Sequence, residues 1–235
     1  MNTKGKLFLI PNTLGDDRIH AVIPQDVITA VKPLKYFIAE HSKSARAFLK
    51  LVEIDHQQNE LEFFELNKHT DRTRLHPFLE PLKDGHNMGL ISDAGCPGIA
   101  DPGAEIVALA HEMDIEVVPF VGPSSILLAH MASGMNGQSF AFNGYLPIDK
   151  ADRKKKIQFL DNLAQKGQSQ SFIETPYRNK QMFQDILANC KANTKVCIAY
   201  DITLPTESIK TKSVQVWKKH KMPDFHKKPC IFILG

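Results

Sequence analysis

The chain has 235 residues, of which 43% are hydrophobic and 23% are charged. This composition is typical of a globular protein and excludes a disordered or fibrous one. The formal net charge of +3 is too small to indicate nucleic-acid binding by itself, and no apolar run approaches the roughly 20 residues that cross a bilayer.

Short apolar runs alternate with amphipathic stretches in the first half, which predicts strands alternating with helices. Strands are predicted at residues 6–10, 36–39, 62–66, 88–92 and 115–120. Helices are predicted at 25–31, 43–53, 71–82 and 103–113. Because crossover helices connect parallel strands, a domain over residues 1–121 is expected to be α/β with a mostly parallel sheet.

The second half begins with a Gly122-Pro123 turn and an apolar helix at 124–133, which Gly134 is predicted to end. Strands follow at 139–143, 170–174, 195–201 and 230–234, with a short β piece at 214–217 and helices at 154–164 and 179–188. The late, hairpin-like strands predict a mixed sheet in a second α/β domain over residues 122–235.

The most informative segment is GLISDAGCPGIADPG at residues 89–103. A strand ends near Asp93, a loop rich in Gly and Pro follows, and Asp101 and Pro102 are predicted as the N-cap and first residue of a helix. Ligands bind at the carboxyl ends of strands in open α/β sheets, so this loop is a candidate ligand site. The alternative is a tight strand-to-helix turn without a ligand.

Two common nucleotide motifs are excluded, because the chain contains neither GxGxxG nor GxxxxGK[ST]. Pyrophosphate is also disfavoured, since Asp93 at the strand end would repel it. An acidic side chain at this position suits ribose hydroxyls or a cationic ligand.

The SDAGxPGIxDPG loop and the following VPFVGPSS segment resemble the tetrapyrrole-methylase superfamily, whose members use S-adenosylmethionine (SAM). The branch most resembled is the bacterial small-subunit ribosomal RNA ribose 2'-O-methyltransferases. Further matching segments, in the same order, are LFLIPNTLGD (7–16), FIAEHSKS (37–44), NGYLP (143–147), FIETPYRN (172–179) and AYDITLPTES (199–208).

The four cysteines form no CxxC and no signal peptide is recognised, which predicts reduced thiols in the cytoplasm. The resemblance implies a homodimer of two-domain α/β subunits, with SAM held in the cleft between domains. It also implies methylation of RNA in the small ribosomal subunit. The cofactor residues implied are Asp93, Ala94, Gly95, Pro97, Ile99, Ser124 and Ser125 in two loops, and Leu146, Thr175, Pro176 and Leu204 from the second domain.

Methyl transfer to a ribose hydroxyl requires alignment of the reactants and help in removing a proton. The candidate catalytic side chains are Glu40, Lys43, Glu174 and Arg178. Glu40 could instead cap the helix that begins near Ser42, and Glu174 and Arg178 could form a structural ion pair. His41 is predicted to be a loop residue rather than a base.

Two loops depart from the ribosomal branch, which has EDTR where this chain has EHSK (40–43) and a TPIGN-like loop where it has NTLGD (12–16). Alternatives therefore stay open: a methyltransferase of a tetrapyrrole or another small molecule, or a non-catalytic relative that binds SAM or RNA. The absence of a GxGxGD-type first loop counts against a tetrapyrrole substrate.

Basic residues cluster at 210–228 and 153–156, which would favour an RNA backbone, although a solvated face is the simpler interpretation. No metal is expected, because the spacing of His220, His226 and Cys230 fits no standard zinc site. Cys96 lies in the candidate loop, where a small residue that fills the turn is favoured over a reactive thiol.

Overall fold

The computed structural model describes residues 3–66, 70 and 75–235. The chain divides into two units, Met1–Ser124 and Ser125–Gly235, and each unit has its own five-stranded sheet. Among the helices of the described residues, none has the length and apolar character needed to cross a membrane.

The first unit alternates strands and helices, as predicted. Its strands are β1 (Leu7–Ile10), β2 (Tyr36–Ala39), β3 (Glu62–Glu65), β4 (Met88–Ile91) and β5 (Val117–Pro119). Its helices are α1 (Ile19–Val22), α2 (Gln25–Val31), α3 (Ser42–Val52), α4 (Glu80–Lys83) and α5 (Gly103–Glu112). The strand order is β3-β2-β4-β1-β5, and all four strand pairs are parallel.

Successive apolar residues along these strands pack on opposite faces of the sheet. Ile91 at the end of β4 joins a cluster with α2 and α3, whereas its neighbour Leu90 joins a cluster with α5. The central strand β4 is buried along its whole length, which is typical of a parallel sheet covered by helices on both faces. This packing leaves the loops at the ends of the strands available for a site.

The second unit carries the mixed sheet that the late strands predicted. Its strands are β6 (Phe140–Tyr145), β7 (Ser169–Ile173), β8 (Lys195–Tyr200), β9 (Ser208–Ser213) and β10 (Cys230–Leu234). Its helices are α6 (Ser125–Ser133), α7 (Lys150–Gln165), α8 (Asn179–Asn189) and α9 (Val214–Trp217). In the order β6-β7-β10-β8-β9, only β6 and β7 are parallel neighbours.

A buried ion pair fastens α7 to α8. Arg153 donates from Nε to Oδ2 of Asp185 at 2.7 Å and from Nη1 to the Ile148 carbonyl oxygen at 2.6 Å. The side chains of Arg153 and Asp185 are only 9% and 12% exposed. Asp149 caps α7, accepting hydrogen bonds from the backbone of its first turn, so this helix begins four residues before the predicted start at 154.

The short β piece predicted at 214–217 is wrong, because these residues form helix α9. The alternation in Val-Gln-Val-Trp favours a strand locally, but Val214 and Trp217, three positions apart, are both buried. The strand actually precedes it, at β9, whose polar sequence SIKTKS gave no apolar signal.

Other differences are smaller. The first four residues of the helix predicted at 71–82 lie outside the described residues, and the rest form a 3₁₀ turn, His76–Leu79, followed by α4. Helix α1 was not predicted, because its four residues are too few to show a helical period.

Candidate functional site

The carboxyl ends of the parallel strands of the first unit lie at one edge of its sheet. There β1 leads to Asn12, β2 leads to Glu40, and β4 leads to the loop from Ser92 to Pro102. Open α/β sheets bind ligands at this edge. Of the residues implied by the resemblance, Asp93, Ala94, Gly95, Pro97 and Ile99 lie in the loop after β4, and Ser124 and Ser125 follow β5 and begin α6.

Asn12 holds the loop that follows β4. Its side-chain amide donates to the carbonyl oxygens of Ser92 and Asp93, both at 3.1 Å. Its backbone forms an isolated two-hydrogen-bond bridge with Gly95. Asn12 is only 6% exposed, so this residue of the altered first loop is a structural support rather than a surface group.

Gly95 has a backbone conformation that other residues adopt with strain, since its φ is +71°. A Cβ atom there would lie 3.4 Å from Leu14 and 3.5 Å from the Pro123 carbonyl oxygen. Loops that follow three different strands therefore approach one another closely at this glycine. A larger residue at this position would therefore disturb the packing of all three loops.

Both carboxylate oxygens of Asp93 are engaged by the start of α3. His41 Nδ1 lies 2.7 Å from Oδ2, and the Ser44 hydroxyl donates to Oδ1 at 2.5 Å. The hydrogen bond to Asp93, together with its charge, raises the pKa of His41 above the usual value. Both side chains of the pair remain accessible, at 69% and 42% exposure.

Asp101 organises the turn that enters α5. Its Oδ1 accepts hydrogen bonds from the backbone N–H of Gly98 and of Gly103, at 2.8 and 2.7 Å. Its other oxygen, Oδ2, is shielded from solvent and has no hydrogen-bond partner among the described residues. Asp101 thus stabilises the helix start as predicted, although Pro102 occupies the N-cap position and the helix begins one residue later.

Glu40 is half-buried beside this turn. Burial, followed by the negative charges of Asp101 and Asp93, raises the pKa of its carboxyl group. Burial also raises the pKa of Asp101, against the effect of its two backbone hydrogen bonds. Glu40 and Asp101 line a cavity of only about 10 Å³, which is the size of one water molecule. A carboxyl group that holds its proton at higher pH is also a stronger base when ionised.

Glu40 does not cap α3. The carboxylate of Glu65 accepts hydrogen bonds from the backbone N–H and the hydroxyl of Ser42, at 3.3 and 2.5 Å. Glu40, His41 and Asp93 are the only group of potential metal ligands close enough to share an ion in the part of the chain that is described. The hydrogen bond between His41 and Asp93 already accounts for the approach of two of them.

The remaining implied cofactor residues follow three strands of the second unit. Strands β6, β7 and β8 run in the same direction, because β10 is antiparallel to both β7 and β8. Their carboxyl ends lead to Leu146, to Thr175 and Pro176, and to Leu204. The sheet therefore brings these candidates to one edge, although Leu146 is only 2% exposed and belongs to the core of the second unit.

Two acidic residues support these loops. Asp201, only 6% exposed, accepts from the Thr206 hydroxyl at 2.7 Å and pairs with Lys228 at 2.7 Å. Glu174, 4% exposed, accepts from the Thr175 backbone N–H at 2.6 Å and pairs with Arg178 at 2.6 Å. The structural ion pair considered for Glu174 and Arg178 is therefore present.

Some basic side chains of the segments 153–156 and 210–228 are held in ion pairs. Arg153 is buried with Asp185, and Lys228 is bound by Asp201, which raises the pKa of this lysine.

The thiol of Cys96 donates to the Pro123 carbonyl oxygen at 3.4 Å, and burial raises the pKa of this thiol. The interpretation of Cys96 as a small residue that fills the turn fits this environment better than a reactive thiol.

Comparison with protein families gives a match over residues 22–216 to the model of the tetrapyrrole (corrin/porphyrin) methylases. Three similar proteins are each named ribosomal RNA small subunit methyltransferase I. The one from Haemophilus influenzae is 33% identical over 69% of this chain and 56% of its own length. That from Escherichia coli O157:H7 is 27% identical over 88% and 69%, and that from Buchnera aphidicola is 27% identical over 98% and 79%.

The chain thus spans little more than half the length of the Haemophilus influenzae relative.

Two solved structures share the fold of this chain. The methyltransferase CobJ has a TM-score of 0.66 over 98% of this chain and 94% of its own. Cobalt precorrin-4 methyltransferase, CbiF, has a TM-score of 0.63 with the same coverage. Both are 14% identical to this chain, so they bear on the fold alone.

Proposed function

Because the chain belongs to the tetrapyrrole (corrin/porphyrin) methylase family, we propose that it is a SAM-dependent methyltransferase that methylates a ribose 2'-hydroxyl in small-subunit ribosomal RNA. The family expected from the sequence motifs is thereby confirmed. The observation that carries the RNA substrate is the 27–33% identity to proteins named for methylation of that RNA. The structures of CobJ and CbiF, at 14% identity, bear on the fold alone and do not carry a small-molecule substrate.

The proposed cofactor site in the first unit uses the loop after β4 and the serines after β5. Its chemistry fits SAM. Asp93 keeps 42% of its side chain exposed beside His41, and its carboxylate suits ribose hydroxyls or a positive charge. Ile99 is 55% exposed as an apolar contact, and Gly95 permits the tight turn of the loop. In the second unit, Leu146, Thr175, Pro176 and Leu204 are the proposed contacts. SAM supplies, when bound, a methyl group activated by a positively charged sulfur.

Glu40 is the proposed proton acceptor for the ribose hydroxyl. It lies next to the cofactor loop, and burial raises the pKa of its carboxyl group above the usual value. General bases of this kind contribute about 10²- to 10⁴-fold to rate. The mutual pairing of Glu174 and Arg178 favours a role in shaping the loop with Thr175. Lys43 lies on α3, on a surface considered below.

Methyl transfer from labelled SAM to small ribosomal subunits that lack the modification tests the function. The wild-type protein should label their RNA, whereas Glu40→Gln should lower kcat at least about 100-fold without weakening SAM binding in calorimetric titration. Glu105→Gln, at an exposed position of α5, is the matched control and should retain activity. SAM binding without transfer by the wild type would refute the substrate.

Absence of SAM binding at millimolar concentration would refute the proposal that the chain is a SAM-dependent enzyme, and would favour the non-catalytic alternative.

We further propose a homodimer, which light scattering would detect as twice the mass of the 26.4 kDa chain. Its proposed compartment is the cytoplasm, where ribosomal subunits are found.

A further inference from the structure

A basic groove follows helix α3 in the first unit. It has a volume of about 490 Å³ and is lined by Ser42, Lys43, Arg46, Ala47, Lys50 and Gln58. The groove starts at the residue that follows Glu40 and His41, so it is continuous with the carboxyl edge of the sheet. No acidic side chain is among these lining residues.

Helical geometry places the cations of this groove on one face. Lys43, Arg46 and Lys50 are spaced at i, i+3 and i+7, which puts them in a row about 10 Å long. The opposite face of α3 carries Phe48 and Leu49, which are buried in the core. The basic face therefore lies away from the main core contacts of α3, and Lys43 and Lys50 on it are exposed to solvent.

The charges of the groove differ in their freedom. Arg46 donates to the Gln58 carbonyl oxygen, and its guanidinium lies 4.4 Å from the centre of the Phe63 ring, so this charge is fixed in the wall. Lys43 and Lys50 are exposed, and neither is in an ion pair with any residue of the described ranges. Two free ammonium groups thus flank one fixed guanidinium.

The charge of the groove suits a polyanion. Its lining residues include three cationic side chains and no acidic one, and cations in a row can neutralise the phosphates of a nucleic-acid backbone. The substrate proposed above makes RNA the polymer that the groove would bind.

We propose that the groove along α3 binds the sugar–phosphate backbone of the RNA substrate, beside the carboxyl edge at which Glu40 lies. The proposal rests on the function proposed above, and names the surface by which that substrate is held. Lys43 and Lys50 contact phosphates, and Arg46 adds a fixed positive charge. In this role Lys43 positions the RNA and does not take part in proton transfer.

The test measures binding without SAM, so that it is independent of turnover. The probe is a fluorescein-labelled, single-stranded RNA of about 20 nucleotides, followed by fluorescence anisotropy between 50 and 200 mM salt. Each phosphate contact to single strands contributes about 0.7 to the slope of log K against log salt. The double variant K43Q/K50Q should therefore lower the slope by about 1.4 and bind about 25-fold more weakly at 0.1 M salt.

The matched control is K166Q/K180Q, which removes the same charge from exposed positions in the second unit and should bind within about twofold of the wild type. K43R/K50R should keep the wild-type slope. Unchanged circular dichroism spectra show that the variants fold. An unchanged slope in K43Q/K50Q, or an equal loss in the control, would overturn the proposal.

Methyl transfer by the wild-type protein is measured on the same preparation. If the wild type methylates ribosomal subunits while K43Q/K50Q binds RNA normally, the groove is wrong and the proposed function stands. If the wild type binds SAM but neither binds nor methylates RNA, both are wrong.

Discussion

Replacing Arg153 by alanine should strongly destabilise the second unit. The substitution leaves the carboxylate of Asp185 buried at 12% exposure without its cation, and it removes the hydrogen bond to the Ile148 carbonyl oxygen. Removing one partner of a buried ion pair costs about 3–5 kcal/mol. Because Gln181 still donates to Asp185 Oδ1 at 3.0 Å, the lower end, about 3 kcal/mol, is expected.

The assay is urea unfolding followed by tryptophan fluorescence. Trp217 is the single tryptophan of the chain, is 3% exposed and packs edge-on against Phe183 of α8 at 5.5 Å. Its emission therefore reports the second unit alone. With a slope of about 2 kcal/mol per molar urea, a loss of about 3 kcal/mol lowers the midpoint by about 1.5 M.

Two controls make the result specific. Lys155→Ala breaks an exposed pair with Asp152 on the same helix and should change stability by less than about 0.5 kcal/mol. The double variant Arg153→Met with Asp185→Leu replaces the pair by apolar side chains and should recover most of the loss. A loss below about 1 kcal/mol for Arg153→Ala would refute the reasoning, since the pair would then be incidental.

Three further predictions concern single side chains. Asn12→Ala removes amide hydrogen bonds to the cofactor loop, so it should cost about 2 kcal/mol in urea unfolding and weaken SAM binding in calorimetry, whereas Asn59→Ala, in an exposed turn, should change neither. In Asp93→Asn, the NMR-measured pKa of His41 should fall from its raised value toward the usual one, because the hydrogen bond to the Asp93 carboxylate and the charge of that group cause the shift; an unaltered titration would contradict this. Burial lowers the pKa of His130, so this side chain binds a proton more readily in the unfolded chain, and its contribution to wild-type stability should fall as pH drops below about 6.5. His130→Phe should flatten that fall in thermal unfolding at pH 7.5 and 5.5, and equal losses in both proteins would rule the histidine out.

The parallel sheet could be predicted from sequence because its strands are buried and strongly apolar. The run Met88–Ile91 is a buried central strand, and its neighbours have helices between them that show a clear period. Strand β9 could not be found in this way, since SIKTKS lies at an edge of its sheet, where packing requires fewer apolar residues. Helix α9 was missed because burial of Val214 and Trp217 overrides their local preference for a strand.

The candidate loop was located by its glycines and prolines, but the residues that hold it were not. Asn12 and Ser44 are far from the loop in sequence and carry no motif of their own, so only the strand order brings them to it. His41 was predicted as an ordinary loop residue. A sequence cannot show that its ring contacts Asp93, because the two residues follow strands β2 and β4, which are neighbours only in the folded sheet. Glu40 could be named as a candidate because it directly follows β2, whereas its raised pKa depends on burial, which the pattern does not give.

The position of β10 has a consequence for how the chain folds during synthesis. It occupies residues 230–234, yet it is the central strand of its sheet and joins the β6–β7 pair to the β8–β9 hairpin. Until these residues leave the ribosome, the two halves have no backbone partner in common, and the edges of β7 and β8 that pair with β10 stay without hydrogen-bond partners. The strands of the first unit are complete by residue 119, so the first unit can fold while the second is still being made. If synthesis slows or stops before β10 is made, the second unit is thus left with unpaired strand edges, which are prone to aggregation.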